Sequence, residues 1–237
     1  MRPTIVLVHG AFAESASWDR VVDPLLDAGH SVVAAANPLR SVSGDAAAVS
    51  DVIRAVDGPV VLVGHSYGGM VISNVDSAAG EITGLVYVAA FAPEPGESAF
   101  ALSTMFPGST LGDALQPTPR GDGTTDLAIV ADRFHAQFCA DVPEAQARRM
   151  AATQRPVTLE ALQEPSGEGP LWNQIPSWFV FGEADRNIPA ALEHHMAQRA
   201  GAHRTIEIPG ASHAISVAHP AATAHLILEA AAVNVGV

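Results

Sequence analysis

The chain has 237 residues, 48% hydrophobic and 16% charged, which suits one large domain, or one domain with a sizeable insertion, and excludes a disordered chain. Its 25 acidic residues against 12 basic ones give a net charge of −13, which argues against nucleic acid, where cationic side chains must release counterions, and against an anionic membrane surface. Every basic residue is Arg and the one cysteine is Cys139, so a lysine Schiff base, a P-loop lysine, a Ser–Lys dyad, an internal disulfide and a four-cysteine zinc site are excluded.

The apolar run at the N-terminus is too short for a signal-peptide core, and no stretch approaches the roughly 18 apolar residues of a membrane span, so a soluble cytoplasmic protein is expected. Thr4–Val8 reads as a strand buried on both faces, and His9-Gly10-Ala11-Phe12 as the loop leaving it. Ser15 to Ala28 reads as a helix with Trp18, Val21, Val22, Leu25 and Leu26 on one side and Gly29 as its stop; Pro24 should kink or break it. A strand at Ser31–Ala35 and a helix at Asp45–Val56 follow, the latter marked by Val49, Val52, Ile53 and Val56. Val60–Val63 is a third strand, Tyr67–Ala79 a helix, and Leu85–Ala90 a fourth strand.

From Pro93 to about Gln174 the chain is rich in Pro and Gly, with short helices expected near Phe134–Phe138 and Pro143–Ala152 and no strand of the earlier kind. The alternation resumes with a strand at Trp178–Phe181, a helix at Ala190–Ala200, a strand at Thr205–Ile208 and a closing helix at Pro220–Ala232. Strands alternating with helices predict an α/β fold: a mainly parallel six-stranded sheet flanked by helices. The expected division is core at 1–92 and 176–237, with a helical cap insertion at 93–175.

Gly64-His65-Ser66-Tyr67-Gly68 follows the third strand and precedes a helix. A G-x-S-x-G turn in that setting forms a nucleophile elbow, with the serine hydroxyl pushed above the sheet. Sites in such sheets form where loops leave the carboxyl ends of strands. Those loops hold His9-Gly10-Ala11, Ser66, Gly182-Glu183-Ala184-Asp185 and Gly210-Ala211-Ser212-His213, in the order Ser, Asp, His expected of a hydrolase triad. A serine hydroxyl needs a base during attack, imidazole titrates near neutrality, and a carboxylate fixes its tautomer. Ser66, His213 and Asp185 are therefore the catalytic candidates, with Glu183 competing for the acid role. The amides of Ala11 and Tyr67 are the expected oxyanion donors, and His9 is expected to brace their loop.

These pieces resemble the α/β-hydrolase superfamily, in particular the small branch of plant methylesterases, hydroxynitrile lyases and bacterial serine esterases. The resemblance rests on Val6–Ala11, Trp18, Val63–Gly69, Leu85–Ala90, Phe181–Asp185 with Ile188-Pro189, and Gly210–His213. Similar hydroxynitrile lyases carry Thr in the place of Gly10 and Lys after the catalytic His, where this chain has Ala214. Dehalogenases and epoxide hydrolases of the fold use an Asp nucleophile in place of Ser66. The resemblance thus implies a serine esterase of small carboxylic esters, without metal or organic cofactor, as a monomer or homodimer. Phe12, Phe106, Phe134, Phe138 and Trp172 are candidates to line an apolar substrate pocket. Two other readings stay open: lactone hydrolysis, cofactor-free oxygenation or C–C cleavage on the same triad, and a receptor-like binding module with little turnover.

Overall fold

The computed structural model describes residues 1–233; the last four residues of the expected 176–237 unit lie outside the described residues. Strand β1 (Thr4–Val8) leads through a 3-10 turn at Ser15–Trp18 into α1 (Asp19–Asp27). Then come β2 (Val32–Ala35), α2 (Val42–Arg54), β3 (Pro59–Ser66), α3 (Gly68–Ser73) and β4 (Glu81–Ala90). After the segment between β4 and β8, the chain closes with β8 (Ser177–Gly182), α9 (Ala190–Arg199), β9 (Arg204–Ile208), α10 (Ile215–Ala218) and α11 (Pro220–Ala232). The six strands form one sheet in the order β2-β1-β3-β4-β8-β9, every pair parallel. Ile5–Val8, Val60–Val63, Leu85–Val88 and Phe179–Phe181 are fully buried, as central strands covered on both faces require. Helix α11 packs on β3, β4 and β8, and α1 packs on α11.

Local signals set several boundaries. Gly29, at φ +82°, ends α1: its amide donates to Leu26 O and the His30 amide to Leu25 O, closing the last turn as a left-handed residue allows. Helix α1 runs through Pro24, whose missing amide deprives only the Arg20 carbonyl of its intrahelical donor. Ser41 caps α2, its hydroxyl accepting from Gly44 N. Helix α3 stops at Ser73, six residues before the expected end. Asn74 donates to Met70 O and turns its amide oxygen to Gly167 N and the Ser166 hydroxyl, so its side chain terminates the helix.

Between β4 and β8 lie α4 (Ala99–Ser103), α5 (Leu111–Ala114), β5 (Leu115–Pro119), β6 (Thr125–Ile129), α6 (Ala131–Phe138), α7 (Glu144–Thr153), β7 (Val157–Thr158) and α8 (Leu159–Gln163). The expected helical cap insertion is corrected in one respect: beside its helices, β5, β6 and β7 form a three-stranded antiparallel sheet. The edge strand β5 carries Pro117 and Pro119 and is mostly exposed, so it lacks the β-branched run that marks a central strand. This small sheet docks on the β2–α2 connection: Arg40 pairs with Asp126 at 2.5 Å, and Thr158 N donates to Leu39 O.

Candidate active site

The order β2-β1-β3 places a topological switch at β1. The chain leaves β1 toward β2 and returns on the other side as β3, so the loops after β1 and β3 diverge and open a crevice at the carboxyl edge. Ser66 ends β3 in that crevice with φ +55°, a left-handed conformation that costs a non-glycine residue about 1–3 kcal/mol. The glycines around it permit the close approach. A Cβ on Gly64 would meet Gly68 O at 2.7 Å, and one on Gly68 would meet Val8 O at 2.5 Å.

The candidate acid and base, Asp185 and His213, come from the far side of the sheet. Asp185 follows β8; its Oδ1 accepts from the amides of Asn187 at 2.7 Å and Ile188 at 3.0 Å, which fixes the carboxylate. Its Oδ2 accepts from His213 Nδ1 at 2.6 Å, and the two side chains are 0% and 1% exposed. A carboxylate only accepts, so this bond assigns the ring proton to Nδ1 and leaves Nε2 with a lone pair. That Nε2 is buried with no hydrogen-bond partner among the described residues. Glu183, the competing acid, is exposed and accepts from Gly210 N at 2.9 Å, bracing the turn before His213.

His65, inside the elbow motif, donates from Nε2 to the His213 carbonyl at 3.1 Å. Burial, then the neighbouring His213, holds the His65 imidazole well below its ordinary pKa, so it stays neutral. On the opposite wall, His9 donates from Nδ1 to Gly10 O at 3.0 Å and accepts from Asn37 N at 3.1 Å, while Asn37 returns a bond to His9 O at 2.9 Å. Burial lowers the His9 pKa to about 4, consistent with a neutral ring bracing the loop. The amide of Phe12 donates to Arg155 O at 3.1 Å, whereas those of Ala11 and Tyr67 donate to no other residue among the described ones. The Tyr67 hydroxyl is anchored to Asp45 at 2.9 Å.

Ser66, Tyr67, Ala11 and Phe12 line a cavity of about 390 Å³, whose other walls come from α4, α5 and their connection, with Phe91, Leu115 and Leu162. Of the five aromatic residues singled out in the sequence, Phe12 and Phe106 line it. Phe134, Phe138 and Trp172 do not. Phe134 is fully buried against Phe138, and Phe138 lies edge-on to His213 at 5.0 Å. Trp172 donates to Pro93 O at 2.8 Å beneath the Arg199 guanidinium. All three are buried away from the cavity. Phe91, Phe100, Leu111, Leu115 and Leu162 line the cavity without having been singled out; no periodicity in that segment marks them. Among the described residues no group of three or more His, Cys, Asp or Glu could hold a metal ion, and no helix is long and apolar enough to cross a membrane.

Known proteins share this arrangement of elements. A carbendazim-hydrolysing esterase from Nocardioides sp. is 40% identical over 110 residues, 41% of this chain and 46% of that protein. A pyrethroid hydrolase from Sphingobium wenxiniae is 27% identical over 95% of this chain and 86% of its own length. The crystal structure of a methylesterase from Arabidopsis superposes with a TM-score of 0.78 at 15% identity, covering 98% of this chain and 99% of that one. The model of the alpha/beta hydrolase family matches residues 5–226, from the first strand into the last helix, and the chain belongs to that family.

Proposed function

We propose that this protein is a serine hydrolase of small carboxylic esters, with 93–175 as the cap over its active site. The observation that carries the proposal is the buried Asp185–His213 pair, with its free Nε2, on the same sheet edge as a left-handed Ser66 that lines an apolar cavity. Relatives named for ester hydrolysis support the reaction class. In this reading Ser66 attacks the carbonyl carbon while His213 Nε2 takes the hydroxyl proton. Asp185 stabilises the resulting imidazolium. The amides of Ala11 and Tyr67 receive the oxyanion, one such donor being worth about 3 kcal/mol of barrier. The imidazolium then gives its proton to the departing alcohol, and a water activated by the same ring releases the acid from Ser66. Ser66 makes no hydrogen bond to that Nε2, and a nucleophile and its base commonly close to bonding distance only when substrate is present.

The cavity favours apolar acyl or aryl groups, because its walls are mainly apolar, and its volume of about 390 Å³ bounds their size. Ser66→Ala is expected to lower kcat for p-nitrophenyl butyrate about 10⁶-fold, the cost of removing the nucleophile of such a unit. Retained turnover, or fluorophosphonate labelling at a residue other than Ser66, would refute the assignment.

A further inference from the structure

Helix α6 and the turn after it touch both loops that carry the acid and the base. Gln137 is buried at 7% exposure and uses its whole amide. Its nitrogen donates to Arg186 O at 2.9 Å and to Asn187 Oδ1 at 2.8 Å, on the residues following Asp185. Its oxygen accepts from the Thr110 hydroxyl at 2.9 Å, at the rim of the cavity. Arg186 reaches back to Ala136 O at 3.2 Å. Three residues past α6, Asp141 accepts from both the amide and the hydroxyl of Ser212, the neighbour of His213, and from His219 Nε2 at 3.0 Å. Between these two anchors, Phe138 presses edge-on against the His213 ring.

We propose that α6 with Asp141 is a bracket that sets the position of the Asp185–His213 pair, making Gln137 and Asp141 positioning residues of the reaction. The proposal rests on the assignment of that pair as the catalytic acid and base. Its physical basis is that Asp185 and His213 sit on separate loops after β8 and β9, so their 2.6 Å contact depends on both loops keeping one mutual placement. The core ties the base loop through His65, the acid loop reaches it directly through Glu183 to Gly210 N and Ala184 N to Ala211 O, and the segment between β4 and β8 adds the anchors at Gln137 and Asp141. A displacement of about 1 Å between reacting groups is enough to cost about a hundredfold in rate.

The test is the rate of fluorophosphonate labelling of Ser66, together with kcat and KM for p-nitrophenyl butyrate, in Gln137→Met, Asp141→Ala and Asp141→Asn. Gln137→Met keeps the volume and removes every bond. Asp141→Asn keeps one acceptor oxygen. The expected result is a ten- to hundredfold loss in labelling rate and kcat in Gln137→Met and Asp141→Ala, with KM within threefold. Asp141→Asn should recover most of the loss. Labelling and kcat within twofold of the parent in folded Asp141→Ala, or a change confined to KM, would overturn the bracket. Asp141 lies at the surface, so that arm decides the matter even if Gln137→Met does not fold. Ser66→Ala runs in parallel: labelling that persists there overturns the catalytic assignment itself, whereas labelling lost there but unchanged in the bracket variants overturns only the bracket.

Discussion

At the scale of single residues, the active-site edge depends on how closely backbones approach. Gly10 shows this most sharply: a Cβ there would sit 2.6 Å from both Ser66 Cβ and the His65 carbonyl oxygen. Gly10→Ala must therefore displace the loop carrying the Ala11 amide or the elbow itself. We expect it to lower kcat for p-nitrophenyl butyrate at least tenfold, and wild-type kcat in a folded variant would show that the contact relaxes freely. The residues suited to the chemistry were legible in the sequence because G-x-S-x-G, the Asp loop and the Ser-His turn each join a required residue type to a recognisable strand end. What Ser66 and His213 need from their neighbours was not legible. His65, Asn37 and Asp45 act through contacts with residues distant in the chain, and nothing in local spacing encodes those contacts.

At the scale of elements, one helix terminus is completed from far along the chain. The carboxylate of Glu164, just after α8, accepts from the amides of Val42 at 2.6 Å and Ser43 at 3.0 Å, in the first turn of α2. These are among the four amides a helix start leaves unpaired, and a negative group there also faces the positive end of the helix dipole. Glu164→Ala is expected to cost about 2 kcal/mol of stability, read from urea unfolding, since bonds to a charged group contribute about 1.5–3 kcal/mol. A change under about 0.5 kcal/mol would mean water replaces the carboxylate at no cost. Element types in the parallel sheet followed from their apolar runs. The strands β5 to β7 were missed because they are short, with Pro and polar residues filling β5 and only two buried apolar positions in β6, so the pairing between them is what holds them extended.

At the scale of the whole molecule, two buried neutral histidines link stability to acidity. His9 has a folded pKa of about 4 against a reference of 6.5. Between those values the unfolded chain binds a proton that the folded protein refuses, so stability falls as pH drops from about 6.5 to 4. Above 6.5 neither state is charged and the contribution is fully present. His65 shifts in the same direction, whereas burial raises the Asp45 pKa and acts oppositely. Comparing the parent with His9→Gln isolates the first effect: the stability gap between them should narrow by about 2 kcal/mol from pH 7 to pH 4.5. A gap independent of pH would show that His9 charges freely in the folded state.

The sequence by itself determined the sheet, the order of its parallel strands along the chain and the residue types waiting at their ends. Buried strands announce themselves by composition, and turns that demand Gly or a strained Ser announce themselves by spacing. Only the tertiary structure decided which aromatic side chains face the cavity and which pack behind it. It also decided that the segment between β4 and β8 contains a sheet, and that Gln137 and Asp141 hydrogen-bond to the loops carrying Asp185 and His213. Those outcomes are fixed by which surfaces meet after folding, between groups separated by dozens of residues, and such meetings leave no periodic trace in the chain.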